Sequence, residues 1–354
     1  MSSIRSFPPL KIGELTARIP VIQGGMGVGI SLSGLAGAVA AQGGVGIIST
    51  AQIGFREASF DQDPIGTNLR VIGTEIQKAR KLAAGGIIGV NIMTATRRYE
   101  DYVKAAVAAG VDLIISGAGL PMNLPRLVSG SRTKIAPIVS SLKSAQVILR
   151  YWQKKHERLP DLVVIEGPEA GGHLGFSYEE LQNPDQMDYD REIRDIVEHV
   201  KNCGREKGKD IPVVVAGGIY TRQDAQRAFD LGADGVQMAT RFVTTYECDA
   251  PMEYKEAYIH ARREDIVLVK SPVGMPGRAI ENAFVRRSGQ GPIPHGKCHL
   301  CVSTCDPAST PYCITEALVN AAKGDMEHAL IFCGSNAYRA DKLEHVSDIM
   351  KEFQ

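Results

Sequence analysis

The sequence predicts a closed (β/α)8 barrel with a C-terminal extension, on three observations. Short apolar, β-rich runs alternate with longer amphipathic stretches between residues 20 and 242, the pattern of repeated βα units. Eight such runs occur, enough to close a barrel. The rival, an open doubly wound sheet, calls for a dinucleotide-type glycine fingerprint after its first strand. That position reads Gln23-Gly-Gly-Met-Gly-Val-Gly-Ile30, and its register Gly24-x-x-Gly27-x-Gly29 is not G-x-G-x-x-G.

The expected strands are Pro20 to Gln23, Val45 to Thr50, Ile87 to Met93, Leu113 to Gly117, Lys134 to Ser140, Leu162 to Glu166, Ile211 to Ala216 and Gly235 to Thr240. Runs such as Leu162-Val-Val-Ile165 and Ile211-Pro-Val-Val-Val-Ala216 have no polar face, which suits strands covered on both sides. Helical segments fall between them, among them Ser33 to Gln42, Tyr99 to Ala109, Ser144 to His156 and Thr221 to Leu231. The last two open on a Ser or Thr able to cap the first turn. A barrel needs about 250 residues and the chain has 354, so the surplus forms an appendage. The βα rhythm fades after Phe242, and the expected division is a barrel over 15–264 and an extension over 265–354, packed on it. The extension holds a Gly/Pro-rich segment, Ser271 to Pro294, and a cysteine cluster.

Composition narrows the function classes. Forty Lys+Arg balance forty Asp+Glu, so the basic excess of a nucleic-acid-binding surface is missing. No apolar run is long enough to cross a bilayer, and Met1 to Pro9 lacks the apolar core of a signal peptide, so the expectation is a cytoplasmic protein. Seven cysteines without an export signal read as thiols or metal ligands rather than a disulfide framework. The chain's aromatic content gives no interface signal; an oligomer remains open.

In such a barrel the ligand sits at the C-terminal ends of the strands, with phosphates at the loops after strands 7 and 8. Strand 7 ends in Ala216-Gly217-Gly218-Ile219 and strand 8 in Gln237-Met238-Ala239-Thr240-Arg241, which together offer backbone N–H groups and a Thr hydroxyl to one anion. Strand 1 ends in Gln23-Gly24-Gly25-Met26, strand 3 carries Asn91, and strand 4 ends in Ser116-Gly117-Ala118-Gly119. Small and amide-bearing residues around one rim suit a flat ring system, and a planar ring with a phosphate points to FMN. A lyase or isomerase holding a sugar phosphate without flavin is the competing reading.

Strand 6 runs through Glu166 into Glu169-Ala-Gly171-Gly172-His173-Leu-Gly175. His173 is the one histidine of eight at a strand end in a glycine-rich turn, placed to act as acid, base or hydrogen-bond donor near neutral pH. Glu169, four residues earlier, either orients the imidazole or faces solvent.

Gln23-Gly-Gly-Met26, Gly89-Val-Asn-Ile-Met93, Ser116-Gly-Ala-Gly119, Glu169-Ala-Gly-Gly-His-Leu-Gly175, Ala216-Gly-Gly-Ile219 and Val236-Gln-Met-Ala-Thr-Arg-Phe242, in this order, resemble the nitronate monooxygenase (2-nitropropane dioxygenase) family. That family also contains FMN-dependent enoyl-acyl-carrier-protein reductase II and NAD(P)H:quinone reductases. The resemblance covers about residues 15 to 250. It implies a TIM barrel with non-covalent FMN and His173 as the active-site residue. It also implies that Gly217, Gly218 and the Met238 to Thr240 turn hold the phosphate, and that Gly24, Gly25, Met26, Asn91, Gly117, Glu166, Gly172 and Gln237 complete the cofactor site. The reaction it implies is oxidation of alkyl nitronates with O2, the alternative being NAD(P)H-dependent reduction of enoyl thioesters or quinones. Two departures stand out: Ala239 replaces the Gly usual before the Thr, and residues after about 265 do not follow better-known members.

Four cysteines crowd into Cys298-x2-Cys301-x3-Cys305-x7-Cys313. Thiolates at such spacing are candidate ligands for an iron–sulfur cluster or zinc, with free thiols as the alternative. The spacing matches neither the bacterial ferredoxin run nor paired C-x2-C knuckles.

Overall fold

The computed structural model describes residues 6–354; residues 1–5, part of the stretch read above for a leader, lie outside it. A hairpin of β1 (Leu10–Ile12) and β2 (Leu15–Ala17) precedes the barrel. The barrel strands are β3 (Val21–Gln23), β4 (Val45–Ser49), β5 (Ile87–Met93), β6 (Leu113–Gly117), β7 (Lys134–Val139), β8 (Val163–Glu166), then, after the short β9 (Gly172–His173), β10 (Val213–Ala216) and β11 (Gly235–Met238). They close in the order β10-β11-β3-β4-β5-β6-β7-β8, every pairing parallel, with helices between consecutive strands.

All eight expected strands form. Six are shorter than expected, four of them by one residue and β10 and β11 by two, these last for local reasons. Pro212 lacks the N–H that a ladder needs, so β10 starts at Val213. Ala239 leaves the strand and Thr240 opens the short helix Thr240–Val243, so β11 stops at Met238.

The period-2 alternation sorts side chains into two cores. Val213 and Val215 of β10 point out to the helices, while Val214 and Ala216 point into the barrel, and β8 divides likewise, with Val163 and Ile165 outside and Val164 inside. Leu10, Ile12 and Ala17 of the leading hairpin join the inner core beside Ile22, Val45 and Leu113, near the strand starts, and plug the barrel there. The sequence reading missed this plug, whose strands are only three residues each. With one end filled, the C-terminal mouth is left for a ligand.

The extension is laced into the barrel. Its hairpin, β12 (Ile266–Lys270) and β13 (Pro276–Ile280), adds β9 as a third strand, pairing Gly277 with His173 and Arg278 with Gly172. The guanidinium of Arg241, buried at the end of β11, meets Glu344 and Glu352 at 2.8 and 2.5 Å. The Asp249 carboxylate accepts from the N–H groups of Leu32, Gly34 and Leu35 at 2.7, 3.1 and 3.1 Å, capping the helix Ser33–Ala41 from more than 200 residues away in sequence.

Among the described residues no helix is long and apolar enough to cross a membrane.

Candidate active site

One cavity at the C-terminal mouth is lined by every candidate cofactor residue of the sequence reading together with His173: Gly24, Gly25 and Met26 after β3, Asn91 on β5, Gly117 on β6, Glu166 on β8, Gly172 on β9, Gly217 and Gly218 after β10, and Gln237 to Thr240 after β11. Parallel strands bring these segments together because each ends at the same rim.

The glycines leave room that side chains would fill. A Cβ on Gly25 would meet the Asn91 Cβ at 2.5 Å, too close for real atoms, so the backbone at 25 lies directly against strand β5. Gly217 and Gly218 have φ of +95° and +76°, a turn of two left-handed residues that only glycine adopts cheaply. Ala239, by contrast, sits at φ −128°, outside the left-handed region that favours glycine, so its φ does not call for the glycine usual at this place. The Thr240 hydroxyl accepts from the Gly334 N–H at 3.1 Å and keeps its own proton to donate.

Polar groups on the rim await a partner. The side chains of Asn91, Glu166 and Gln237 line the cavity, and none has a hydrogen-bond partner among the described residues. Burial raises the Glu166 carboxyl to about 7, so a share of it is protonated at neutral pH and able to donate as well as accept.

The His173 ring packs edge-on to Phe332, with centroids 5.0 Å apart, and burial lowers its pKa to about 4. At neutral pH the imidazole is therefore uncharged. Its Nε2 lies 2.7 Å from the Ser271 Oγ, in the turn between β12 and β13. Ser271, not Glu169, orients it: Glu169 instead places its carboxylate against Gly218, where a Cβ would meet Oε2 at 2.0 Å. The registration of β13 on β9 sets this contact, since Gly277 sits opposite His173.

The sequence reading missed Ser271, Phe332 and Asn336 of the extension, and Tyr254 and Tyr258 of the helix Met252–Ile259. Both tyrosine hydroxyls donate to the Phe332 carbonyl, at 3.2 and 2.5 Å, and the Asn336 amide donates to the Gly218 carbonyl at 2.7 Å. The i, i+4 spacing of the tyrosines was the one available signal, and it reads equally as helix packing. Arg241, included above in the strand 8 rim, turns its side chain away from the cavity to Glu344 and Glu352.

All seven cysteines are free thiols. Among the described residues no three His, Cys, Asp or Glu side chains come together as a group able to hold a metal ion, so neither the iron–sulfur nor the zinc expectation for Cys298, Cys301, Cys305 and Cys313 finds support in the structure. A zinc ion needs four donors within about 2.3 Å of one centre, a convergence these side chains do not make.

A family model described as nitronate monooxygenase matches residues 9–354. A probable nitronate monooxygenase of Staphylococcus saprophyticus is 25% identical over 299 residues, 78% of this chain and 80% of its own length. A (3aS,4S,5R,7aS)-5-hydroxy-7a-methyl-1-oxo-octahydro-1H-indene-4-carboxyl-CoA dehydrogenase of Mycobacterium tuberculosis is 25% identical over 272 residues, 77% of this chain and 66% of its own. Among solved structures, FabK of Thermotoga maritima aligns with a TM-score of 0.71 at 27% identity, covering 95% of this chain and 92% of that one. A nitroalkane oxidase of Streptomyces ansochromogenes shares the fold, with a TM-score of 0.69 at 20% identity over 95% and 94%. A family match over nearly the whole chain, joined to a closed barrel of the same architecture, places this protein in the nitronate monooxygenase family, as an oxidoreductase of the FMN-dependent type.

Proposed function

We propose that this protein binds FMN non-covalently at the barrel mouth and oxidises alkyl nitronates with O2. The observation that carries the reading is the single cavity that joins the glycine turns, three unpartnered polar side chains and an uncharged imidazole. The residues fit the group. Gly217, Gly218 and the Ala239-Thr240 turn suit the phosphate, Gly24, Gly25 and Gly117 leave a flat slot, and Asn91, Glu166 and Gln237 suit the donors and acceptors of a ring edge. When bound, FMN supplies the electron acceptor for the nitronate and the path by which those electrons reach O2.

The protein's own part is binding and positioning. An imidazole whose conjugate acid has a pKa of about 4 is a weak base toward a carbon acid, so the substrate that suits this site arrives already deprotonated, as the nitronate anion. His173 then serves as a neutral hydrogen-bonding group held by Ser271, and the nearby Phe332 excludes water from its edge.

The test is turnover by purified protein carrying the absorbance of a flavin. Aerobic addition of propionate 3-nitronate should consume O2, and anaerobic NADH should leave the flavin oxidised. Absence of flavin after incubation with excess FMN refutes the reading. Rapid bleaching by NADH refutes the monooxygenase assignment and supports reduction of enoyl thioesters or quinones. The similarity to a carboxyl-CoA dehydrogenase over 77% of the chain is what favours that second reading.

A further inference from the structure

Two buried tyrosines of the cavity wall have no part in the reading above. Tyr254 and Tyr258 stand one turn apart on one face of the helix Met252–Ile259, with ring centroids 5.5 Å apart. Both line the cavity, and they are 4% and 2% exposed. A buried phenol needs a partner for its O–H. Each finds the same one, the Phe332 carbonyl, at 3.2 Å from Tyr254 and 2.5 Å from Tyr258. A carbonyl oxygen has two lone pairs, so the two hydroxyls together satisfy it.

The pairing of β13 explains why Phe332 needs them. One edge of β13 carries two partners in turn. The Leu174 N–H donates to the Pro276 carbonyl at 2.9 Å, next to the pairs Gly277 with His173 and Arg278 with Gly172. Farther along the same edge, the Cys333 N–H donates to the Arg278 carbonyl at 3.0 Å and the Ile280 N–H to the Ile331 carbonyl at 2.9 Å, with Phe332 opposite Ala279. A residue between two such bonds turns its own carbonyl away from the partner strand. The Phe332 carbonyl therefore leaves the ladder, and the tyrosines supply its donors. Gly277 and Ala279 lie two apart, so their partners His173 and Phe332 face the same side. The Phe332 ring leans over Gly277, where a Cβ would meet its Cε1 at 2.8 Å, and so reaches the His173 ring.

We propose that Tyr254 and Tyr258 are positioning residues for the nitronate reaction, which fix the Phe332 backbone and thereby keep its ring against the His173 imidazole. With the hydroxyls gone, the segment is tied along its β13 side and its carbonyl is left without those donors, so the ring moves off His173 and water reaches the imidazole. The kinetic consequence rests on the reading of the cavity as a nitronate site; the geometry does not.

The experiment compares the full-length wild type with Tyr254→Phe/Tyr258→Phe, which keeps both rings and removes both hydroxyls, and with Phe332→Leu. In carbon-edited imidazole spectra of flavin-free protein, the His173 signal is identified by its loss in His173→Gln. In the tyrosine variant this signal should move most of the way from its wild-type position toward its position in Phe332→Leu. It should also titrate at least about one pH unit above the wild-type midpoint of about 4. In the FMN-loaded enzyme the variant should raise KM for propionate 3-nitronate about threefold or more at unchanged FMN affinity. In a Phe332→Leu background the same two changes should alter KM by less than about 1.5-fold, because the residue they act through is gone. A wild-type His173 signal in the variant overturns the inference, as does a KM effect equally large with and without Phe332. If the double variant does not fold, as read by circular dichroism, Tyr258→Phe takes its place and should displace the signal in the same direction. Protein that turns over no nitronate yet shows the His173 displacement would lose the proposed reaction and keep the positioning role.

Discussion

Glu166 and His173 set two opposite dependences of stability on pH inside one cavity, and replacing Glu166 by Gln should separate them. Burial raises the Glu166 carboxyl from 4.5 to about 7, so between those values the folded protein holds a proton that the unfolded chain has released. Stability from this group is thus fully present below pH 4.5 and lost as pH rises toward 7. At about 1.36 kcal/mol per pH unit the loss is on the order of 3 kcal/mol. His173 runs the other way. Its pKa falls from 6.5 to about 4, so the unfolded chain binds the extra proton, and stability is present above 6.5 and lost as pH falls to 4, again by on the order of 3 kcal/mol. Between pH 4.5 and 6.5 the two slopes oppose each other and nearly cancel. Gln cannot ionise and keeps the volume of Glu, so in Glu166→Gln the rising His173 limb should stand alone. Urea unfolding of flavin-free protein at half-unit steps from pH 4.5 to 8 reads this directly. The wild type should be nearly flat up to pH 6.5 and decline slightly above it. The variant should gain stability steadily to pH 6.5 and end on the order of 3 kcal/mol above wild type at pH 8. Parallel curves for the two proteins would show that Glu166 is not desolvated as the cavity geometry requires, and a variant flat from pH 4.5 to 6.5 would show the same of His173.

Three further substitutions probe the site and its support. Ser271→Ala removes the 2.7 Å contact to the His173 Nε2 and should lower kcat/KM for nitronate by roughly 2- to 12-fold, the worth of one neutral hydrogen bond, with flavin content unchanged; an unchanged kcat/KM, or a loss that merely follows flavin content, would remove Ser271 from the argument. Gly25→Ala puts a Cβ 2.5 Å from that of Asn91 and should abolish or severely weaken FMN binding, read by titration of flavin-free protein with FMN. Arg241→Ala leaves Glu344, with a side chain 17% exposed, without its bidentate partner and should destabilise by about 3 kcal/mol, the low end for a broken buried pair because Glu352 is 42% exposed, read by urea unfolding.

The barrel was legible because its signals are local. Apolar runs such as Val213 to Ala216 read as buried strands whatever surrounds them, and glycines at their ends mark the rim by position alone. The cofactor candidates were legible for the same reason: in a parallel barrel all strand ends meet, so knowing eight ends locates one site. What was not legible depends on contacts distant in sequence. Ser271 reaches His173 across 98 positions through the pairing of β13 with β9, in a segment that read only as rich in glycine and proline. Asp249 caps a helix that begins at Ser33, where the sequence offers a serine but the structure uses no side chain from the helix's own entry. The plug of β1 and β2 failed to register because three-residue strands carry too little periodicity to be counted.

Where the two halves of the cavity come from bears on what should vary and what should not. The glycine turns, Asn91, Glu166 and Gln237 all belong to barrel strand ends, whose positions are fixed by a ladder closed on itself. Ser271, Phe332 and Asn336 come from the extension: Ser271 and Phe332 meet His173, and Asn336 meets the Gly218 carbonyl. In the proposed reading a bound ring rests on the strand-end wall, with His173 and Phe332 facing the substrate. Exchange of Phe332, which meets His173 and not a strand end, should move KM and substrate preference while leaving FMN affinity nearly unaltered, and exchange of the rim glycines should do the reverse. Phe332→Ala is the sharpest case. It opens the space beside the His173 ring without touching a strand end, so FMN binding within about twofold of wild type, with altered preference between short and long alkyl nitronates, is the outcome that division requires. Loss of FMN in Phe332→Ala, with preference among nitronates intact, would show that the extension grips the cofactor and that the division is false.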